Sequence, residues 1–324
     1  MNLHKDEYAF GALINDIHEK SDIRSDIIEK DYYVMLLLYE LSKKQQQDAL
    51  PAYFKGGTAL YKALKSIRRF SEDIDITVCI DDCNNNSQKK KRLKDATTKY
   101  QSLPRTLQKS MEEHNNGSIT TVYDYESIVH TADTDDPLQR FGHVKVEGTS
   151  FTVSEPHTAL QIEPILYTYA TQEQKQILQQ QFTVGPFWIE TIRLERIFTD
   201  KIFAAEFYYE RQSYFDVAKH IYDVSVLMDI PQIQELLHNR IVLLQMVQYK
   251  RQEEQQRIGS NLSNQLFRDF VVFDELAKND ILQKEYQRMQ KNYVFAEHDQ
   301  LVYECIVRQW KKLEPVLRQL DESL

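Results

Sequence analysis

The sequence predicts an α+β fold, with a mixed sheet and flanking helices followed by a helical carboxyl-terminal half. Three observations lead there. Gly and Pro number only eight each in 324 residues, too few for a turn-rich all-β protein. Strand-like segments are confined to the amino-terminal half, between residues 51 and 166. From about Glu190 onward the apolar spacing is helical nearly to the end. The expected division is 1–185 for the α/β part and 186–324 for the helical part.

Residues 21–44 carry apolar side chains at helical spacing. Asp31 stands among Ile27, Ile28, Val34 and Met35 on that helix, and a carboxylate facing a core needs a partner. The plain reading pairs it with a lysine. Residues 51–55 read as a short strand, Gly56-Gly57 as a tight turn, and Thr58 as the cap of a helix to about Ser66. Residues 73–80 then alternate. Ile74, Ile76 and Val78 share one face of a strand, and Asp73, Asp75 and Thr77 the other. Residues 81–95 form a polar loop leading into a helix, and their basic run at 89–92 reads first as solvated surface, second as a phosphate contact. Further strands are expected near 119–125, 144–146 and 160–166.

Composition narrows the function. The chain is 42% hydrophobic and 27% charged, so it can bury a core. A net charge of −9 argues against coating nucleic acid through a global field, leaving room only for a local basic groove. Cys79, Cys83 and Cys305 make no CxxC pair, as expected of thiols in a reducing cytoplasm. No signal peptide or membrane span is evident, so a cytoplasmic location is expected.

Two aspartates at i and i+2 on a strand project to the same side, roughly 6–7 Å apart along the chain. Both carboxylates can then reach one or two hard cations such as Mg²⁺. A glycine turn opening a helix offers backbone N–H groups to phosphate oxygens. Either motif alone is weak. The order strand, GG turn, helix and DxD strand is far more specific.

GGTALYK followed by RFSEDIDITV resembles the signature of the DNA polymerase beta-like nucleotidyltransferases. More closely, it is similar to the AbiEii/AbiGii toxin family of bacterial type IV toxin–antitoxin and abortive-infection systems. IEKDYYV at residues 28–34 resembles an upstream family element, FTDKIFA at 198–204 the lysine-bearing third motif, and KHIYDV at 219–224 the fourth. The resemblance runs over most of residues 25–230. It implies that 1–185 is the nucleotidyltransferase domain, and that 186–324 lends Lys201 and Asp223 to the site. It implies Mg²⁺ or Mn²⁺ held by Asp73 and Asp75, and a nucleoside triphosphate as substrate. Gly56, Gly57 and Thr58 would hold phosphates, Lys201 would neutralise the leaving pyrophosphate, and Arg69 and Ser71, which match the motif before the acidic strand, would contact the triphosphate.

The residues themselves leave room for plainer roles. Lys201 has Ile197, Phe198, Ala204 and Ala205 as its helical neighbours, so it meets either a phosphate or a structural carboxylate. Lys219 offers Asp223 an ordinary helical pair. Arg69 could equally stabilise a turn, and His220 is not expected to act as a catalyst. Glu163, in LQIEPIL, is the expected third carboxylate, although Gln161 stands where the family commonly has lysine. Asp223 or Glu163 would orient or deprotonate the attacking hydroxyl.

The family further implies an RNA acceptor, with tRNA first, and a cognate antitoxin encoded nearby without a stable complex. The alternatives are transfer to a protein or small molecule, or a non-enzymatic nucleotide-binding protein.

Overall fold

Seven strands pair in the order β3–β4–β5–β2–β1–β7–β6, numbered along the chain. They are β1 (Ala52–Lys55), β2 (Ile74–Val78), β3 (Glu113–Asn115), β4 (Ser118–Asp124), β5 (His143–Thr149), β6 (His157–Ile162) and β7 (Phe187–Ile192). The computed structural model describes residues 1–129, 141–257, 259–295 and 297–323. β2 runs antiparallel to β1 and parallel to β5, and β1 runs parallel to β7. The sheet is mixed, as the sequence predicts.

The alternation in β2 decides what each face does. Ile74, Ile76 and Val78 are fully buried, and their register partners Phe54, Ala52 and Val146 are buried with them. The helices in chain order are α1 (Glu7–Ser21), α2 (Ser25–Gln47), α3 (Gly56–Lys62), α4 (Asn86–Thr98), α5 (Ile165–Tyr169) and α6 (Gln172–Phe182). α4 packs on the apolar face, and Thr121 of β4 donates its hydroxyl hydrogen to the Thr97 carbonyl there. Asp75, Thr77 and Glu147 occupy the opposite face.

Two expectations shift by a few residues. The strand expected at 160–166 ends at Ile162, and Pro164, which has no N–H to give a ladder, stands as the cap residue before α5. The helix after the GG turn stops at Lys62, and Lys65 adopts a left-handed backbone. Helix α1 was not expected from the sequence. Asp6 caps it by accepting the Ala9 N–H at 3.0 Å.

The chain divides into two units that interleave in sequence. The first comprises Met1–Ala63, Ser71–Ser150 and His157–Thr191, and the second Leu64–Phe70, Phe151–Pro156 and Ile192–Leu324. The second unit is helical: α7 (Leu194–Glu210), α8 (Tyr214–Leu227), α9 (Pro231–His238), α10 (Arg240–Gln256), α11 (Val271–Glu275), α12 (Asp280–Tyr293) and α13 (Tyr303–Arg318). α7 and α8 pack together, α12 and α13 cover α8, and α10 and α11 cover α7. Trp310, Tyr222, Tyr286 and Phe203 fill the centre. Among the described residues no helix is long and apolar enough to cross a membrane.

Asp31 finds its lysine inside the first unit. Its carboxylate pairs with Lys62 of α3 and also accepts the Ile165 N–H at 2.7 Å, with both side chains buried. Burial raises the Asp31 carboxyl, while Lys62 and the Ile165 N–H pull it back. Asp31→Ala leaves the Lys62 ammonium buried and is expected to cost about 3–5 kcal/mol in urea denaturation. The double variant Asp31→Ala/Lys62→Met should recover much of that. A double variant as unstable as the single one would show that the pairing is not the cause.

Candidate active site

Strand β2 presents Asp75 from the middle of the sheet. Asp75 lies opposite Lys55 on β1 and opposite Glu147 on β5. Register partners on neighbouring strands point to the same face, so Asp75 and Glu147 stand side by side. Burial raises the Glu147 carboxyl to about 8, and the negative charges of Asp75 and then Asp73 push in the same direction. The charges of two aspartates therefore act on Glu147. Sequence reading missed Glu147. The alternation of Val144 and Val146 with Lys145 and Glu147 could have placed it on the polar face of a strand, but only strand register places it beside Asp75.

Gly56 borders this patch with φ +80°, a conformation that side-chain-bearing residues rarely adopt. A Cβ there would come within 1.9 Å of the Asp75 Oδ2. The glycine thus makes room for the second aspartate, a tighter requirement than the phosphate approach that the sequence suggested. Thr58 lies within α3, fully buried, instead of capping it. Its hydroxyl donates to the Asp73 carbonyl oxygen at 2.5 Å and lies 3.0 Å from the Ser71 hydroxyl. Thr58 and Ser71 bind the glycine turn to the start of the acidic strand. Gly57 is buried in the first turn of α3.

Do these residues suit a divalent cation? Among the described residues, no group of three His, Cys, Asp or Glu side chains is gathered as a preformed metal set. The donor chemistry nevertheless fits, because Asp73, Asp75 and Glu147 supply only hard oxygen ligands. Burial does most to lift Glu147, and the charges of Asp75 and Asp73 that add to it are a local negative surplus that a cation would relieve.

The second unit holds the other predicted residues. Arg69 and Asp223 are both buried and make a two-pronged contact, Nε–Oδ1 2.6 Å and Nη2–Oδ2 2.7 Å. Lys201 of α7 reaches the same carboxylate, with Nζ 3.1 Å from Oδ2. Burial alone would raise the Asp223 carboxyl, but Arg69 and Lys201 outweigh it and hold it below the usual range. Lys219 pairs with Asp216 at 2.9 Å, not with Asp223. Arg69 is occupied by Asp223, and Lys201 has the structural carboxylate partner that was its plainer alternative. Burial, with Lys201 and Lys219 adding to it, lowers His220 well below its usual value, which keeps the ring neutral. Its ring stacks on Tyr208.

Glu163 stands apart from the acidic patch. It follows β6 at the sheet edge, with β7 and β1 between that strand and β2. Its carboxylate accepts the Thr168 hydroxyl at 3.0 Å, and its carbonyl accepts Lys62 Nζ at 3.3 Å.

A mixed sheet carrying a glycine turn and an acidic DxD strand, in a chain with helical lysine and aspartate motifs, is the arrangement that the resemblance to nucleotidyltransferases leads one to expect. The chain belongs to the family described as nucleotidyl transferase AbiEii toxin of type IV toxin–antitoxin systems, whose model matches residues 36–317. No curated protein matches it. Among solved structures it is similar to MenT4, a nucleotidyltransferase toxin from Mycobacterium tuberculosis H37Rv. That similarity has a TM-score of 0.46 and 16% identity, and covers 95% of this chain and 98% of that one.

Proposed function

We propose that the chain transfers a nucleoside monophosphate from a nucleoside triphosphate to an RNA hydroxyl, with the 3′ end of tRNA as the first candidate. The Asp75–Glu147 pair on one sheet face carries this reading, with Gly56 against Asp75 and the Asp73 charge acting on Glu147. Asp73 and Asp75 would hold Mg²⁺ or Mn²⁺. The cation supplies charge neutralisation for an in-line displacement at phosphorus.

The remaining work falls to the chain's own groups. Glu147, level with Asp75, orients the attacking hydroxyl on the acceptor. Gly56 and Gly57 let backbone N–H groups approach phosphate oxygens. For Lys201 the pyrophosphate role rests on the family motif alone, since its ammonium is paired with Asp223. Asp223 acts as a positioning residue, because its lowered carboxyl and two cationic partners make it a poor base. Membership in a toxin family supports a neighbouring antitoxin gene, and the RNA acceptor is part of the proposal itself. A stable toxin–antitoxin complex is not part of the proposal.

Purified protein, total RNA and each α-³²P-labelled nucleoside triphosphate in turn provide the test, with Mg²⁺ present or chelated. Label is expected in a tRNA-sized band with one preferred nucleotide, and only when the cation is present. Label that persists under chelation would remove the metal from the mechanism. Label in protein or small molecules instead of RNA would move the acceptor to those classes.

A further inference from the structure

The face that carries Asp75 continues across β1, β7 and β6. Phe54 pairs with Thr191, and both are buried, which turns Tyr53 and Glu190 to the opposite face, level with each other. Tyr53 is the register partner of Thr77, two residues along β1 from the Lys55–Asp75 pair. His157, at the start of β6, brings its ring over Tyr53, with centroids 4.1 Å apart and planes tilted by 32°. The His157 Nδ1 lies 3.0 Å from the Glu190 Oε2, and a carboxylate accepts, so Nδ1 carries the hydrogen.

The strands beneath are clamped from α2. Gln45 Nε2 donates to the Ala52 carbonyl at 2.6 Å and to the Glu190 carbonyl at 3.2 Å, while its Oε1 accepts the Glu190 N–H at 3.0 Å. Two half-exposed rings are therefore stacked, oriented and braced beside a carboxylate patch. Trp188, 55% exposed, stands two residues before Glu190 on the same side of β7.

We propose that Tyr53 and His157 form a stacking platform for a nucleobase. The offset from Asp75 is about two residues along one strand and one strand across, or roughly 8 Å between backbone positions. A ribose bridges that kind of gap between a base and its reacting phosphate or hydroxyl. Planar rings suit this task because every base has a π-face. Glu190 and Gln45 are positioning residues, and the platform adds base recognition to the proposed nucleotidyl transfer on which it rests.

Tyr53→Leu removes the ring at similar volume, and Tyr53→Phe keeps it. Equilibrium dialysis with Mg²⁺ would compare each nucleoside triphosphate with inorganic tripolyphosphate, which has no base. Tyr53→Leu is expected to weaken binding of the preferred nucleotide roughly ten- to a hundredfold, the loss of one base–aromatic stack. Tripolyphosphate binding and the melting temperature should stay near wild type, and Tyr53→Phe should bind normally. Unchanged nucleotide binding with a raised KM for acceptor RNA would assign the platform to the acceptor's base. A folded Tyr53→Leu protein unchanged in both respects would overturn the platform while leaving the transferase reading intact. Wild-type protein that binds tripolyphosphate and every triphosphate equally well, with an acceptor KM that Tyr53→Leu leaves unchanged, would also overturn it. A wild type that binds no triphosphate would instead defeat the transferase reading itself, and the platform with it.

Discussion

Asp75→Asn is expected to lower nucleotide transfer on the order of a thousandfold, the scale of a lost charge-stabilising group at a reacting phosphate. It should leave the fold at least as stable as before. The two signs differ because the Asp75 charge opposes ionisation of Glu147 in the fold, whereas in the reaction it would face a cation. Glu147 is lifted to about 8 by burial first and by Asp75 next. A carboxyl raised in the folded state contributes stability that is complete below its ordinary value and lost as pH rises through about 8. Denaturation at pH 5, 7 and 9 should therefore show the wild type losing this contribution with rising pH. Asp75→Asn should shrink that loss. Glu147→Gln should reproduce both signs, and Glu163→Gln should show neither. An Asp75→Asn protein that transfers normally would end the metal reading. One that is inactive but strongly destabilised would make Asp75 a structural residue.

The acidic strand was legible because its period is two: apolar Ile74, Ile76 and Val78 leave Asp73 and Asp75 only one side to occupy. Glu147 was not, since its place depends on a parallel pairing between strands more than sixty residues apart in the chain. Local patterns do not encode that pairing. The same limit separates Asp31 from Asp223. For Asp31 the apolar neighbours announced a buried carboxylate in need of a lysine, and the partner proved to be Lys62. For Asp223 the nearest lysine along the helix, Lys219, was taken by Asp216, and the carboxylate went to Arg69 and Lys201 from distant segments. Gly56 was recognised from its neighbours in sequence, but the reason for it comes from another strand. Sequence spacing reveals which residues face a common side. Which of them meet is decided by pairings between segments far apart in the chain.

Gly56→Ala is expected to reduce transfer about a hundredfold or more through geometry alone. Two independent costs meet at this position. A left-handed backbone at φ +80° costs a non-glycine residue roughly 1–2 kcal/mol. The added Cβ would also stand 1.9 Å from the Asp75 Oδ2, so the carboxylate must leave its place. Gly148→Ala is the matched comparison on the opposite face. There the added Cβ would come within 2.4 Å of the Thr97 Cγ2 on α4, and no left-handed backbone is involved. That variant should lower the melting temperature and spare transfer in proportion to the folded protein remaining. Gly56→Ala should lose transfer well beyond its loss of fold, measured as activity per folded molecule at a temperature where both variants are native. Equal losses in the two variants would mean that packing, not placement of the Asp75 carboxylate, is what the glycine protects.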